Sequence, residues 1–365
     1  MMTGRYMGFL WLRDEIKLHE QRTLLVPQHA EILVHMGHKI VVERSQQRIF
    51  PDSAYEKAGC ELVPSGSWIH ATTDYYILGL RHLPENDDSL RHKHIYFAHC
   101  YKNQRHGQRL LQRFHRGGGT LFDCEYLTDA QGVPLVMGKN GQLSGYIGVA
   151  MALQFYVQKH SGLALKLTLP YFSEQGQLVA HTKQLLHETK IKPSIVILGY
   201  QGNTGSGAVK FCKSMDILPT LWGRAETNSS DLLSTLNQFE IIVNCIRSEQ
   251  AGEPFLLEKD LYANKRLSIL VDVTCDVDGP MHRFPFYSQI TTFDHPCFTL
   301  GPKCAPVDVI AIDHLPNWLP IDASHLLGDS IFVHLQHLLN TTNDVLPTIW
   351  ENTHIKFLEE IKNLH

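Results

Sequence analysis

The sequence predicts an α/β protein built on mainly parallel sheets with helices on both faces. Three observations carry this. Strand and helix patterns alternate along the chain, the strands read as continuous apolar runs rather than alternating ones, and 365 residues suit two domains of about 150 residues each. Pro27–Met36 has apolar residues at helical spacing, is stopped by Gly37, and leads into the β-branched strand Lys39–Glu43. The pattern repeats as helix Asp52–Ala58, Gly59 and strand Glu61–Val63. Tyr75–Leu80 and Ile95–Ala98 read as buried strands. Helix Gln104–His115 is closed by Gly117-Gly118-Gly119 and followed by strand Thr120–Asp123. After a turn at Gln131–Pro134 comes the long apolar helix Ser144–Gln158, whose Gly145 and Gly148 suit close packing. Ser161–Lys192 is irregular around Pro170, with a helix at Gln177–Thr189. A second alternating unit then begins: strand Ile195–Leu198, a glycine turn, helix Gly205–Met215 and strand Pro219–Trp222. It continues through Asp231–Leu236, Ile241–Asn244 and Ser268–Val273, and the chain closes with helices at Asp322–Leu339 and Val345–Asn363.

Composition narrows the function classes. Hydrophobic residues at 43% and charged residues at 19% give a real core and exclude a disordered or fibrous chain. A net charge of −4 argues against nucleic acid or an anionic membrane as partner, both of which favour a basic surplus. The cysteines (Cys60, Cys100, Cys124, Cys212, Cys245, Cys275, Cys297 and Cys304) lie scattered, without CxxC spacing and mostly inside apolar runs. They read as reduced core thiols, and no metal site is expected. The apolar run Met7–Leu12 is too short for a signal peptide or a membrane span, so a cytoplasmic protein is expected.

The most informative local motif runs from Ile195 through Gly199, Gly202, Gly205 and Gly207 to Ala208. A strand enters a glycine turn that opens a helix, the context of a dinucleotide site. Gly202 would let a pyrophosphate approach the backbone, and Gly205 would let helix and strand pack closely. The helix start at Asn203, Thr204, Gly205 and Ser206 supplies amide donors and a favourable dipole. The second strand of such a site usually ends in an acid that binds the adenosine ribose. Here Trp222 is followed by Gly223, Arg224, Ala225 and Glu226. Arg224 is a residue type that accepts a 2′-phosphate, and Glu226 is an alternative ribose ligand, so NAD and NADP both stay open.

Several stretches together resemble a known family. They are Leu12–Arg22 with Val26-Pro27, Gly79–Glu85, Phe97–Lys102, Gly119–Glu125, Gly205–Ala208, Val243–Ile246, Val271–Val273 and Ile312–Pro316. Their order and spacing resemble the lysine-forming saccharopine dehydrogenases, relatives of alanine dehydrogenase and of the transhydrogenase nucleotide-binding subunit. The resemblance implies two Rossmann-like lobes with the active site in an interdomain cleft. Residues 1–135 plus 323–365 would form the substrate and catalytic lobe, and residues 136–322 the dinucleotide-binding lobe. It implies oxidative cleavage of a secondary amine, saccharopine to lysine and 2-oxoglutarate, with hydride transfer to a nicotinamide. The family's catalytic histidine falls on His99, whose type suits proton transfer with an ordinary pKa of ~6.5. Lys17, Arg22 and Glu125 fall on substrate-site positions and Asp313 on the loop near the nicotinamide. Partners would be a small amino acid or oxo acid, with the chain a monomer or small homo-oligomer.

The chain also departs from the family. Its second catalytic group is a lysine, and here Arg81 stands in that place. Arginine stays a permanent cation, so Arg81 can hold a carboxylate or steady an oxyanion but cannot serve as a base. His82 replaces an acid and would point the other way if the strand continued. An arginine after the Gln-Gly turn is absent, the chain reading Gln131-Gly132-Val133-Pro134. Thr204 stands where the family has a cysteine, so the disulfide that some members form with the counterpart of Cys245 cannot form. These departures leave room for another amino-acid or opine substrate, or for a catalytically impaired relative that binds nucleotide or metabolite.

Overall fold

The computed structural model describes residues 7–101, 105–129, 131–162, 172–229, 232–247, 252–263, 266–275, 277, 282–341 and 346–364. Lys102, Gln104, Pro170, Asp231 and Val345, which entered the sequence reading, lie outside the described residues. From the N-terminal side the elements are β1 (Phe9–Leu12), α1 (Pro27–His35), β2 (Lys39–Glu43), α2 (Asp52–Lys57), β3 (Glu61–Val63), β4 (Tyr76–Leu78), β5 (Lys93–Tyr96), α3 (Arg105–Gly117) and β6 (Thr120–Asp123). Next come α4 (Met137–Ser161), α5 (Gln175–Thr189), β7 (Ile195–Leu198), α6 (Asn203–Ser214), β8 (Thr220–Trp222), α7 (Arg224–Thr227), α8 (Leu232–Leu236) and β9 (Ile241–Asn244). The chain finishes with α9 (Glu258–Ala263), β10 (Ile269–Asp272), β11 (Phe298–Leu300), β12 (Val307–Ile310), α10 (Pro320–Leu339) and α11 (Thr348–Lys362). They divide into two compact units, Met1–Gly138 with Pro320–His365, and Lys139–Leu319.

In the first unit six parallel strands pair in the order β3-β2-β1-β4-β5-β6. Strand alternation sorts the core into two layers. Leu10, Leu12, Val42, Leu78 and Phe122 face α1, α2 and α10, where Leu327, Ile331, Leu335 and Leu338 are buried. Trp11, Val41, Ile77, Tyr96 and Leu121 face the opposite way and pack with Phe114 of α3 and Phe357 of α11. Full burial of such side chains is worth about 1.5–3 kcal/mol each, which is why short strands suffice.

The second unit has its own six-stranded sheet, β11-β12-β10-β9-β7-β8, parallel except for the antiparallel edge strand β11. β7, β9 and β10 are buried at every position, as expected for strands covered on both faces. Gly145 of α4 and Gly207 of α6 let the two helices pack closely: a Cβ at Gly145 would fall 1.8 Å from the Thr204 carbonyl oxygen, and one at Gly207 1.8 Å from that of Gln142, while one at Gly148 would fall 2.9 Å from Val273 Cγ2.

The differences from the sequence reading have local causes. β5 starts at Lys93 rather than Ile95 because Lys93 lays its ammonium over the Tyr76 ring and His94 is buried among aromatic rings, so neither behaves as a polar stop. It ends at Tyr96, before the turn into His99. β4 ends at Leu78, so residues 79–82 form a loop. α4 begins seven residues earlier than expected, at Met137. β1 lies in the apolar run that was weighed only as a targeting segment, and β11 and β12 carried no sequence signal strong enough to name. Six cysteines are buried, Cys297 is half-buried and Cys304 is exposed. Among the described residues no helix is long and apolar enough to cross a membrane, and no cluster of His, Cys, Asp or Glu could hold a metal ion.

Candidate active site

Open parallel sheets bind ligands beyond the carboxyl ends of their strands, where the strand order reverses. In the first unit that point lies between β1 and β4. The loop after β1 carries Arg13, Glu15, Lys17, Glu20 and Arg22, and the loop after β4 carries Arg81 and His82. His99 follows β5, and Glu125 follows β6. Parallel pairing therefore brings all of these to one edge of the sheet.

Two carboxylates fix the loops. Glu15 accepts the Leu80 N–H at 2.6 Å and the Arg81 N–H at 2.9 Å, and lies 3.4 Å from the Arg13 guanidinium. Arg13 in turn donates to the Arg81 carbonyl. Glu20 receives Arg22 in two parallel bonds, Nε at 2.8 Å and Nη2 at 2.6 Å, and Arg81 Nε at 3.2 Å. Burial alone would raise Glu20, but the Arg22 guanidinium, with Arg81, outweighs it and holds the carboxyl at about 2. Arg22 thus spends its bidentate pair on Glu20 within the protein rather than presenting it to a ligand. Both side chains are nearly closed to solvent, at 2% and 1%. Arg81 is more open, at 14%. Lys17 is half-buried, its carbonyl accepting the Glu20 N–H at 3.1 Å.

His99 is held at φ +50°, a left-handed conformation uncommon for a side chain of its size. Its Nδ1 lies 2.9 Å from Glu125 Oε2. As an ionised carboxylate Glu125 only accepts, so in the neutral imidazole Nδ1 carries the proton and Nε2 keeps the lone pair. Behind the pair, buried Asp123 accepts the N–H groups of Glu125 at 2.9 Å and Ala98 at 3.3 Å. Burial pushes Asp123 up to about 6, the Glu125 charge adding to it and these hydrogen bonds and His99 opposing it. His82, no longer in a strand, lies among the site's charges. Crowding by the surrounding protein, then the charges of Arg81, His99, Lys17 and Arg13, push its imidazole down to about 4. It keeps an exposed face and is a neutral acceptor at pH 7.

In the second unit the order reverses between β7 and β9. Gly199 leaves β7 at φ +77°, and the first internal bond of α6 is Ser206 N–H to the Gly202 carbonyl at 2.8 Å. The amides of Asn203, Thr204 and Gly205 precede that bond and open the helix. Two glycines of the turn have different reasons to be glycine. A Cβ at Gly205 would stand 2.2 Å from the Gly199 carbonyl oxygen, so the fold itself requires glycine there. At Gly202 the nearest atom would be 3.6 Å away and φ is −76°, so the fold does not. Glycine is the better helix cap there, and its missing side chain also leaves the turn open to a ligand, so that it fits a dinucleotide pyrophosphate. Arg224 is exposed at the start of α7, and Glu226 Oε2 accepts the Gly223 N–H at 2.7 Å. Asp313 follows β12 at the same edge of this sheet and is hydrogen-bonded to His314 Nδ1.

Sequence reasoning did not single out Glu15, Glu20 or Asp123, nor the buried group in which Asp272 accepts Asn244 Nδ2 at 2.9 Å and the Tyr287 hydroxyl at 2.6 Å. The available signal was position: Asp123, Asn244 and Asp272 are each the last residue of a strand.

The family described as "Alanine dehydrogenase/PNT, N-terminal domain" matches residues 11–139. Among solved structures, an L-alanine dehydrogenase superposes with a TM-score of 0.68 at 18% identity, covering 97% of this chain and 93% of that one. A transhydrogenase from Sinorhizobium meliloti gives 0.66 at 15% identity, covering 94% and 97%. The fold is thus that of the alanine dehydrogenase and transhydrogenase architecture. The lysine-forming NAD(+) saccharopine dehydrogenase of Schizosaccharomyces pombe is 36% identical over 349 residues, 92% of this chain and 94% of that protein. Its counterpart from Emericella nidulans is 34% identical over 372 residues, 97% and 98% of the two chains. The chain belongs to the lysine-forming saccharopine dehydrogenase family.

Proposed function

We propose that this chain catalyses the NAD-dependent oxidative cleavage of saccharopine to lysine and 2-oxoglutarate, in the cytoplasm and as a monomer or small homo-oligomer. The observation that carries the reading is the His99–Glu125 pair at 2.9 Å, which leaves a lone pair on Nε2 at a ligand-binding sheet edge. The first unit supplies proton transfer and substrate contacts, and the second holds the dinucleotide through the Gly202–Ser206 turn with Asp313. A bound nicotinamide supplies the hydride acceptor. His99 Nε2 takes the proton from the attacking water and returns it to the departing amine nitrogen. Such transfer by a positioned side chain contributes about 10²–10⁴-fold. Arg81 cannot exchange protons at working pH. It offers a fixed positive charge to a substrate carboxylate, steadied by Glu20, while Arg22 sets the position of Glu20. His82, neutral and open on one face, is a second acceptor beside it.

The experiment is to mix purified protein with saccharopine and NAD+ and follow absorbance of the reduced nicotinamide. The reverse direction is run with lysine, 2-oxoglutarate and NADH. Turnover is expected in both directions. Absence of turnover in both, with protein that still binds NAD+, removes this substrate assignment.

A further inference from the structure

The end of strand β8 is where an α/β nucleotide site usually places the carboxylate that receives the adenosine ribose hydroxyls. Here the residue after the strand is Gly223, which has no side chain to offer. Its space is taken from elsewhere. Glu226, at the third position of α7, folds back so that Oε2 accepts the Gly223 N–H at 2.7 Å. That oxygen lies 3.6 Å from where a Cβ of residue 223 would stand. The same point is 3.4 Å from Gln201 Oε1 and 3.6 Å from the Tyr200 ring, both in the turn that follows β7. The carboxylate is therefore held beside the glycine turn, in the region a strand-end acid would have filled. It is open to a ligand: Glu226 is exposed and borders a hollow of about 150 Å³ with Trp222, Ser229, Leu232 and Thr235.

We propose that Glu226 is the ribose-binding acid of this chain, displaced from the strand end onto the first turn of α7, and that it selects NAD over NADP. The inference rests on the reading that the second unit holds a dinucleotide. A carboxylate accepts a hydrogen bond from a ribose hydroxyl and repels a 2′-phosphate. Arg224, two positions earlier and also exposed, has the opposite preference. Glu226 prevails because the Gly223 amide already restricts its side chain, so less rotamer freedom is lost when a ligand binds.

The test is to titrate the full chain with NAD+ and with NADP+ by calorimetry, a readout that needs no turnover. The parent is expected to bind NAD+ at least tenfold more tightly. Glu226→Gln keeps an oxygen for the Gly223 N–H and removes the charge, so the fold is retained while the NAD+/NADP+ ratio falls by about tenfold. Arg224→Ala is expected to leave the preference for NAD+ in place. Equal binding of the two dinucleotides by the parent overturns the inference, as does an unchanged ratio in Glu226→Gln; either leaves the dinucleotide reading standing. Binding of neither dinucleotide by folded protein overturns both.

Discussion

Gly202 and Gly205 stand in one turn, yet a methyl group added to each has opposite expected consequences. At Gly205 the new carbon would lie 2.2 Å from the Gly199 carbonyl oxygen and 2.5 Å from the Tyr200 Cα. Both are backbone atoms, so no side-chain rotation relieves the overlap and β7 and α6 must part. Overpacking of this kind costs about 1–3 kcal/mol, and Gly205→Ala belongs at the upper end. At Gly202 the nearest atom would be an ordinary 3.6 Å away, and φ −76°, ψ 170° is open to alanine. Alanine is the poorer helix cap by roughly 0.5 kcal/mol or more, while restricting the unfolded chain returns about 0.4–1 kcal/mol. Gly202→Ala should therefore leave stability nearly unchanged. It should weaken NAD+ binding at least tenfold, about 1.4 kcal/mol, because the methyl group occupies the open side of the turn. Urea denaturation without ligand and calorimetric titration with NAD+ measure the two quantities separately. Equal loss of stability in the two variants, or parent-like NAD+ affinity in Gly202→Ala, refutes the assignment of reasons to these glycines.

Three further outcomes are expected. His99→Asn should lower the turnover number by about 10²–10⁴-fold without loss of thermal stability, since asparagine tolerates the left-handed conformation; a fall in melting temperature matching the loss of activity would instead mark His99 as structural. Glu20→Gln should cost roughly 3–5 kcal/mol in urea denaturation, because it strips the charge that balances Arg22 and Arg81 in a buried site, and a change within about 0.5 kcal/mol would show that the three do not form a unit. Acid should destabilise the fold through His94, which is fully buried with both ring nitrogens unpartnered and whose pKa burial pushes well below the usual value. Its stabilising contribution is present above the unfolded value of about 6.5 and is lost as pH falls below it. Asp123, raised to about 6, has the reverse sign, its contribution being lost as pH rises through that value. Comparison with His94→Phe isolates the histidine; an identical acid loss in that variant would exclude His94 as its source.

Periodicity was enough to read the alternating architecture, because strands such as Ile195–Leu198 and Ile241–Asn244 are buried on both faces and carry unbroken apolar runs. It failed where polar residues join the core. Lys93 and His94 of β5 join the core through ring contacts with Tyr76 and Phe114 that no hydropathy pattern registers. The antiparallel edge strand β11 has no fully buried residue, so its sequence lacks the run that marks the others. Within the site, His99, Arg81, Glu125 and the Gly202 turn were legible as residue types in motif context. The partners that fix them were not. Which carboxylate meets Arg22, or which amides Glu15 accepts, depends on how loops after different strands converge. A linear pattern does not encode that convergence.

The first unit is interrupted in sequence by the whole of the second. A ribosome that has released residues 1–138 has made all six strands of the first sheet but neither α10 nor α11. Leu327, Ile331, Leu335 and Leu338 of α10 are then still unsynthesised. At about 1.5–3 kcal/mol per side chain, their missing burial amounts to roughly 6–12 kcal/mol, comparable with the net stability of a whole domain at about 5–15 kcal/mol. The nascent first sheet must therefore wait, incompletely covered on both layers, while the inserted segment completes itself. Premature termination between residues 139 and 320 would abolish the catalytic half of the molecule even though Arg81, His99 and Glu125 had already been translated.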